Sequence, residues 1–413
     1  MTVVTDAFVD LGREVAGALG TPQIRSVVIP HPLGGLDAKA VAERSRRALH
    51  DIVQKLTAQH VDAAKVAYEN TPRTLDLSGS SEEINEYFYA RRWTDGLPIV
   101  PPTVLRVEPM LASAIHPPDT LLGFLPPTMG AATIEKIAVN AVMAGCDAQC
   151  FPVVVAAVQA ICTPEFNLLP MQATTNPVTP MIIVNGPVAK QLDINCGHNV
   201  LGQGWKSNAT IGRALRLVLT NIGGGVPGTL DKATHGQPGK FTLCIAENEH
   251  ESPWEPFHVE RGYESHDSTV SVIGVAGTQD VIHYARTSAE KVLSTLVHAI
   301  PREGFKNLYS GGEPLIIFGP EQAAILGSAG LTKQDVKRIV FERARVPLSL
   351  LNPETVTLMR GRRHEWLSSQ HEIDAVPIAD RPDDVQIVVA GGTGNHTVFV
   401  PTWGDTRCVT VKL

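Results

Sequence analysis

Pro180-Met-Ile-Ile-Val-Asn-Gly-Pro187 is a short apolar run that stops at Gly-Pro, and Pro314-Leu-Ile-Ile-Phe-Gly-Pro320 uses the same design again. Each reads as a buried β-strand. The run is too short for a helix and rich in Ile and Val, and its closing proline suits the first turn of a following helix. The likeness extends upstream. Val158-Gln-Ala-Ile161 and Val297-His-Ala-Ile300 each close a helical pattern, and the connectors carry Phe166-Asn-Leu168 and Phe305-Lys-Asn-Leu308. Helix, loop, strand, Gly-Pro turn and helix, used twice, predict an α/β fold: a mixed sheet built from two related αβ halves with helices packed on it. The copies cover about 148–192 and 287–328, and the groove between such halves is a common place for a ligand.

Composition narrows the function classes. With 413 residues, 43% of them hydrophobic and 19% charged, the chain can bury a core larger than one small domain needs. A net charge of -7 and a pI near 6.1 leave no basic face for a phosphate backbone, so no nucleic-acid partner is expected. The longest apolar run, Phe151 to Cys162, falls short of the ~20 residues that span a bilayer. The opening Met-Thr-Val-Val-Thr-Asp lacks the basic-then-apolar order of a signal peptide. These features predict a cytoplasmic protein with no membrane partner. Six cysteines, at 146, 150, 162, 196, 244 and 408, are too sparse for a disulfide scaffold and read as free thiols.

Around the repeated units the chain divides into three parts. Residues 1–60 read as an αβα piece: a helical pattern over 4–20, the strand Ser26-Val-Val-Ile-Pro30, and an amphipathic helix from Asp37, its N-cap, to Thr57. That piece is too small to close an αβ domain, so it should pack on the body or on another chain. Residues 61–80 read as a polar linker, and Ser80 with Glu83 has capping-box spacing for the next helix. The main body, 81–413, then places a long segment, 193–281, between the two copies as a functional insertion. After the second copy come a helix capped by Thr332 and strands over 386–390, 397–400 and 408–413.

The insertion holds most of the candidate chemistry. Asn195-Cys-Gly-His-Asn-Val-Leu-Gly-Gln-Gly-Trp-Lys-Ser-Asn208 opens into a helix whose Ile211, Leu215, Val218, Leu219 and Ile222 share a face. Free backbone N-H groups at such a helix start can hold an anion. Gln203 stands where a nucleotide-binding loop needs Lys, so no nucleotide is expected. A small anionic substrate, held by Asn208, Arg213 and Lys206, is the functional reading; a Gly-rich turn for close packing is the other. Further on, Cys244-Ile-Ala-Glu-Asn-Glu249 runs from a buried strand into an irregular loop with Trp254, Phe257, His258 and Arg261. If the strand persists, Glu247 and Glu249 face one side, and two carboxylates held together can supply an acid and a base. Metal ligation by Glu247, His250, His258 or His266 is the alternative, although the histidine spacing matches no metal motif. Trp254 and Arg261 are taken as substrate contacts.

Three further sites complete the candidates. Cys146 lies between two helices, where a helix N-terminus can lower a thiol pKa from ~8.5 toward 7, or it is a core thiol. Asp95, in Trp93-Thr-Asp-Gly-Leu-Pro98, is either catalytic or part of an ordinary turn. Gly391-Gly-Thr-Gly-Asn-His396 reads as a tight turn or an anion loop.

These segments resemble the UGSC family, named for a selenocysteine- or cysteine-Gly-Ser-Cys motif. The resemblance rests on Trp93-Thr-Asp-Gly-Leu-Pro, Val139-Asn-Ala-Val-Met-Ala-Gly-Cys146, Ile183-Val-Asn-Gly-Pro187, Asn208-Ala-Thr-Ile-Gly-Arg-Ala-Leu215, and Glu247-Asn-Glu with His258-Val-Glu-Arg-Gly262. Val27-Val-Ile-Pro-His-Pro-Leu-Gly-Gly-Leu36 looks like the tail of the redox-motif domain. No Cys-Gly-Ser-Cys occurs in the chain. The resemblance therefore implies either a separate small subunit that carries the motif and docks on residues 1–60, or a member that works without it. Together these readings predict a small-molecule enzyme subunit in an oligomer. Its chemistry would be thiol-assisted cleavage or reduction of a carbon-heteroatom bond, with Cys146 as nucleophile and Glu247, Glu249, His258 and Asp95 in support. A metal-assisted hydrolase or lyase, and a non-catalytic scaffold for the motif-bearing subunit, are the alternatives.

Overall fold

A computed structural model describes residues 1–58, 74–363 and 374–413. The N-terminal piece is β1 (Thr2–Thr5), α1 (Val9–Ala18), β2 (Ser26–Ile29) and α2 (Ala38–Thr57), with the two strands parallel. The helical pattern expected from residue 4 begins later, because Thr2-Val-Val-Thr5 is wholly β-branched and pairs with β2. Asp37 caps α2 as expected, its Oδ1 accepting from Ala40 N at 2.7 Å. Val27, Ile29, Ala48 and Ile52 form a small core of their own. The expected linker falls partly outside the described residues, over 61–73.

The body opens with α3 (Ser81–Ala90), whose Ser80–Glu83 capping box is formed, α4 (Val104–Ala112), the hairpin β3 (Leu121–Leu125) and β4 (Gly130–Thr133), and α5 (Ile134–Ala144). Over 148–192 the chain forms α6 (Phe151–Ile161), α7 (Leu168–Ala173), β5 (Thr179–Asn185) and α8 (Pro187–Gln191), and α9 (Lys206–Asn221) follows. It continues with β6 (Cys244–Ala246), α10 (Phe257–Glu260), β7 (Thr269–Val275) and β8 (Gln279–Ile282). Over 287–328 come α11 (Ala289–Ala299), α12 (Lys306–Ser310), β9 (Leu315–Phe318) and α13 (Pro320–Ser328), and then α14 (Lys333–Arg343), capped by Thr332. Next come the side excursion β10 (Arg345–Pro347), α15 (Pro353–Arg362) and β11 (Ala375–Pro377), then β12 (Gln386–Val389), β13 (His396–Val400) and β14 (Val409–Lys412).

The strands build two four-stranded sheets of the same plan, ordered β14-β7-β5-β6 and β8-β13-β9-β12. In both, the strand that ends in Gly-Pro has a parallel neighbour on one side and an antiparallel one on the other. Side-chain alternation, the period of two of a β-strand, then sets the layers. Ile182 and Val184 of β5 pack with α5, α6 and α9, while Met181 and Ile183 meet Leu315 and Ile317 of the other sheet. Ile316 and Phe318 of β9 pack outward on α11, α13 and α14. The body is therefore the expected α/β fold with mixed strand directions, arranged as helices, sheet, sheet, helices, and the strands are divided between two sheets that lie face to face. Segment 193–281 also supplies β6 and β7, the two neighbours of β5 in the first sheet, so it is part of the frame as well as the stretch that holds the acids.

Candidate functional site

Strands β5 and β6 end side by side, with Val184 paired to Ala246. Continuing the alternation of Ile183 and Ile245, the last side chains turned between the sheets are polar: Asn185 and Glu247. Both are buried, and α10 brings the fully buried His258 alongside. Asn185 Nδ2 donates to Glu247 Oε2 at 2.5 Å and to Glu249 Oε1 at 2.9 Å. The N-H groups of Phe257 and Gly186 add bonds of 2.7 Å to Glu247 and Glu249 respectively. His258 Nδ1 lies 3.8 Å from Glu249 Oε1. Gly186, at φ 81°, fits because a Cβ there would come within 2.1 Å of the Asp267 carbonyl oxygen. Thus the Gly-Pro turn that ends the strand also seats the acid pair.

Burial pushes the Glu247 carboxyl up to about 7, opposed by the Lys333 ammonium and by the bonds from Phe257 and Asn185; Glu249 adds a smaller upward push. The shared-site repulsion expected between the two acids is real but minor beside desolvation. Among the described residues, Asn185 Oδ1, Glu247 Oε1 and both ring nitrogens of His258 have no hydrogen-bond partner. Buried polar atoms in a finished structural network are almost always paired, so three neighbouring side chains with spare donors and acceptors mark a place that can receive another polar group.

Behind this cluster stands a line of charge. Lys333, buried on α14, donates to the Glu255 carbonyl at 2.7 Å and lies 3.3 Å from Glu260 Oε2, while Lys337 pairs with the other oxygen of Glu260. Glu260 and Lys337 form part of the wall of an open cleft of about 510 Å³, shared with Arg261, Glu313 and Arg381. Sequence reading did not single out Asn185, Lys333 or Lys337. The visible signals were a polar residue closing an apolar strand and two lysines one helical turn apart.

Other predicted site residues are committed elsewhere. Arg213 forms a two-point ion pair with Asp95 at 2.7 and 2.8 Å and also donates to the Pro98 carbonyl, so each satisfies the other and neither is left for a substrate. Asn208 accepts from Asn195 N and donates to the carbonyls of Asn195 and Cys244, which fastens α9 to β6. Lys206 pairs with Asp147 at 2.6 Å on the surface. Trp254 donates to the Leu331 carbonyl and stacks edge-on against Phe318, anchoring the acidic loop to the second half. Arg261 is bonded to Thr410 and the Cys408 carbonyl.

The expected lowering of the Cys146 pKa is reversed. Burial is the chief cause that lifts the thiol to about 12. Its own N-H donates back to the Ala141 carbonyl, so it closes α5 and does not start α6. Among the described residues no three His, Cys, Asp or Glu side chains converge as a metal site. In the same set no single helix is long and apolar enough to cross a membrane.

The tail loop of 391–396 closes over the loop after α8: Gly391 N donates to the Cys196 carbonyl, and Asn248 N to the Val389 carbonyl. The ends of β5, β6 and β12 therefore meet at one edge of the sandwich. No curated protein matches this chain. Residues 1–58 match the UGSC family model, which lies outside the quoted motifs of the body, so it is through the N-terminal β1-α1-β2-α2 unit that this chain is similar to the UGSC family.

Proposed function

We propose that the chain is a cytoplasmic small-molecule enzyme, or a subunit of one, whose chemistry is proton transfer at Glu247 assisted by Glu249 and His258. The observation that carries this reading is a buried carboxyl brought to about 7, with a free oxygen, beside a buried imidazole with both nitrogens unpartnered. A group at that pKa can both accept and release a proton near neutrality. The adjoining cleft, walled in part by Glu260 and Lys337, is the proposed entry for a small polar substrate. Proton transfer can be tested before the reaction is known. Small carboxylic and hydroxy acids are incubated with the protein in D2O, and exchange or elimination is followed by NMR. The reading is lost if no acid is turned over or exchanged, or if Glu247→Gln acts like the wild type.

Two narrower readings remain proposals. Thiol-assisted cleavage at Cys146 requires removing a proton that burial holds to about pH 12, so it needs a base the site does not place there. Docking of a small Cys-Gly-Ser-Cys subunit on residues 1–58 is favoured by the N-terminal unit itself. Among the described residues its two-stranded sheet has no further strand on either edge, and Val3, Val28, Leu49, Val53 and Leu56 are exposed. A small motif-bearing chain that co-purifies with the full protein supports this, and one that fails to bind at micromolar concentration counts against it.

A further inference from the structure

At the end of β5 remote from Asn185, Thr179 starts the strand, ~20 Å away at ~3.3 Å per residue. There α9, the turn after it and the segment leading to β6 enclose a second pocket, of about 160 Å³. Its wall carries Asp95, Arg216, Asp231 and Lys240, and its remainder includes Gly225, Pro227 and Phe241. The two acids are already used. Asp95 is held at two points by Arg213, and Asp231 accepts from Lys240 at 2.6 Å and from Ala233 N at 3.0 Å.

Arg216 is different. Its Nε donates to the Lys240 carbonyl at 2.8 Å and its Nη2 to Thr179 Oγ1 at 2.8 Å, both uncharged acceptors. Its Nη1 has no hydrogen-bond partner among the described residues. Burial lowers the guanidinium pKa, with Asp231 and Asp95 acting in the opposite sense. Asp95 is paired with Arg213, which stands outside the pocket, and Asp231 with Lys240, so among the described residues the Arg216 guanidinium has no carboxylate paired to it. Thr94 adds a hydroxyl whose oxygen accepts from Gly96 N at 3.1 Å, which leaves its proton to donate. Pro227 and Phe241 add apolar surface to the lining.

We propose that this pocket binds a short-chain carboxylate, with the carboxylate on Arg216 and Thr94 and the hydrocarbon against Pro227 and Phe241. A guanidinium fixed in place by neutral acceptors presents its remaining N-H groups without having to be ordered by the ligand, and charge-assisted bonds in such a setting are the stronger kind. The pocket is separate from Glu247 and does not depend on the proposed reaction there.

The test uses the full chain, titrated with sodium acetate and sodium butyrate against sodium chloride at equal ionic strength, and followed by calorimetry and by NMR of the arginine side-chain nitrogens. Saturable binding is expected, with butyrate tighter than acetate and chloride inert. Arg216→Gln should weaken butyrate about tenfold or more, the scale of one lost charge-assisted hydrogen bond. Phe241→Ala, at a half-exposed position on the rim, should leave acetate binding in place and erase the preference for butyrate. Butyrate should shift the Arg216 side-chain nitrogen signals equally in the wild type and in Glu247→Gln. The proposal is overturned if both acids behave like chloride, or if folded Arg216→Gln titrates like the wild type. Should Arg216→Gln fail to fold, an unchanged butyrate preference in Phe241→Ala overturns it instead.

Discussion

Glu247 holds its proton more tightly in the folded protein than in the unfolded chain, and that difference has a sign. The carboxyl moves from 4.5 to about 7, so between those values the native state binds more protons than the unfolded state and stability falls as pH rises. At ~1.4 kcal/mol per unit the whole effect is about 3 kcal/mol, complete above about pH 7. Urea unfolding at about pH 5 and about pH 7.5 should show this loss in the wild type and a smaller one in Glu247→Gln. Equal pH slopes would remove Glu247 from the account. Cys146 gives the opposite kind of expectation. With its thiol raised to about 12, it should be alkylated by iodoacetamide at neutral pH no faster than a thiol in the unfolded chain; peptide mapping of the native protein decides. The closeness of Glu247 and Glu249 was expected from a strand running on through both, yet β6 stops at Ala246 and Glu249 is brought back from the following turn by Asn185 and Gly186. The environment of Cys146 was not legible in sequence, because a thiol between two helices belongs to whichever helix claims its N-H. Here that is α5, whose carbonyl end disfavours a thiolate.

Helix α9 shows how residues that look functional can be consumed by holding an element in place. It carries Asn208 at its start, Arg213 one and a half turns on and Arg216 after that, and the first two tie it to β6 and to the 95–98 turn. Asp95 is 5% exposed and Arg213 15% at their side chains, so the pair is largely withdrawn from water. Removing one partner leaves the other charge buried and alone, which costs about 3 kcal/mol or more. Asp95→Asn should lower unfolding free energy by about that amount, and the Asp95→Asn, Arg213→Met double variant should recover part of it. A double variant as unstable as the sum of the singles would show that the pair is not coupled. The helix, its apolar face and its Gly223 to Gly225 stop were legible from period and composition. The bonding of its polar residues was not, since Asp95 and Arg213 meet only through tertiary packing across more than a hundred positions of chain.

At the scale of the whole molecule the connection between the two sheets is reciprocal. Strand β8 follows β7 in the chain but pairs with β13 of the other sheet, and β14 follows β13 but pairs with β7. Each half thus hands its last strand to its neighbour. The Gly-Pro units made two buried strands legible, and each has one parallel and one antiparallel neighbour, yet β8 and β14 have four residues each, and no pattern that short says which sheet they join. The consequence is testable by cutting the chain in the loop after β8, where Tyr284 is 85% exposed. A fragment of residues 1–284 would lack β14 and leave β7 as an open edge; 285–413 would lack β8 and leave β13 open. Each would also expose the sheet face formed by Met181 and Ile183 or by Leu315 and Ile317, now buried between the layers. Unpaired strands and an uncovered apolar face favour aggregation, so either fragment expressed alone should be insoluble or unfolded. Co-expressed, the two should co-purify as a one-to-one complex with cooperative unfolding, because every pairing between the sheets is restored without the covalent link. A soluble, cooperatively folded fragment on its own would show instead that the exchanged strands are dispensable and that each half closes its own sheet.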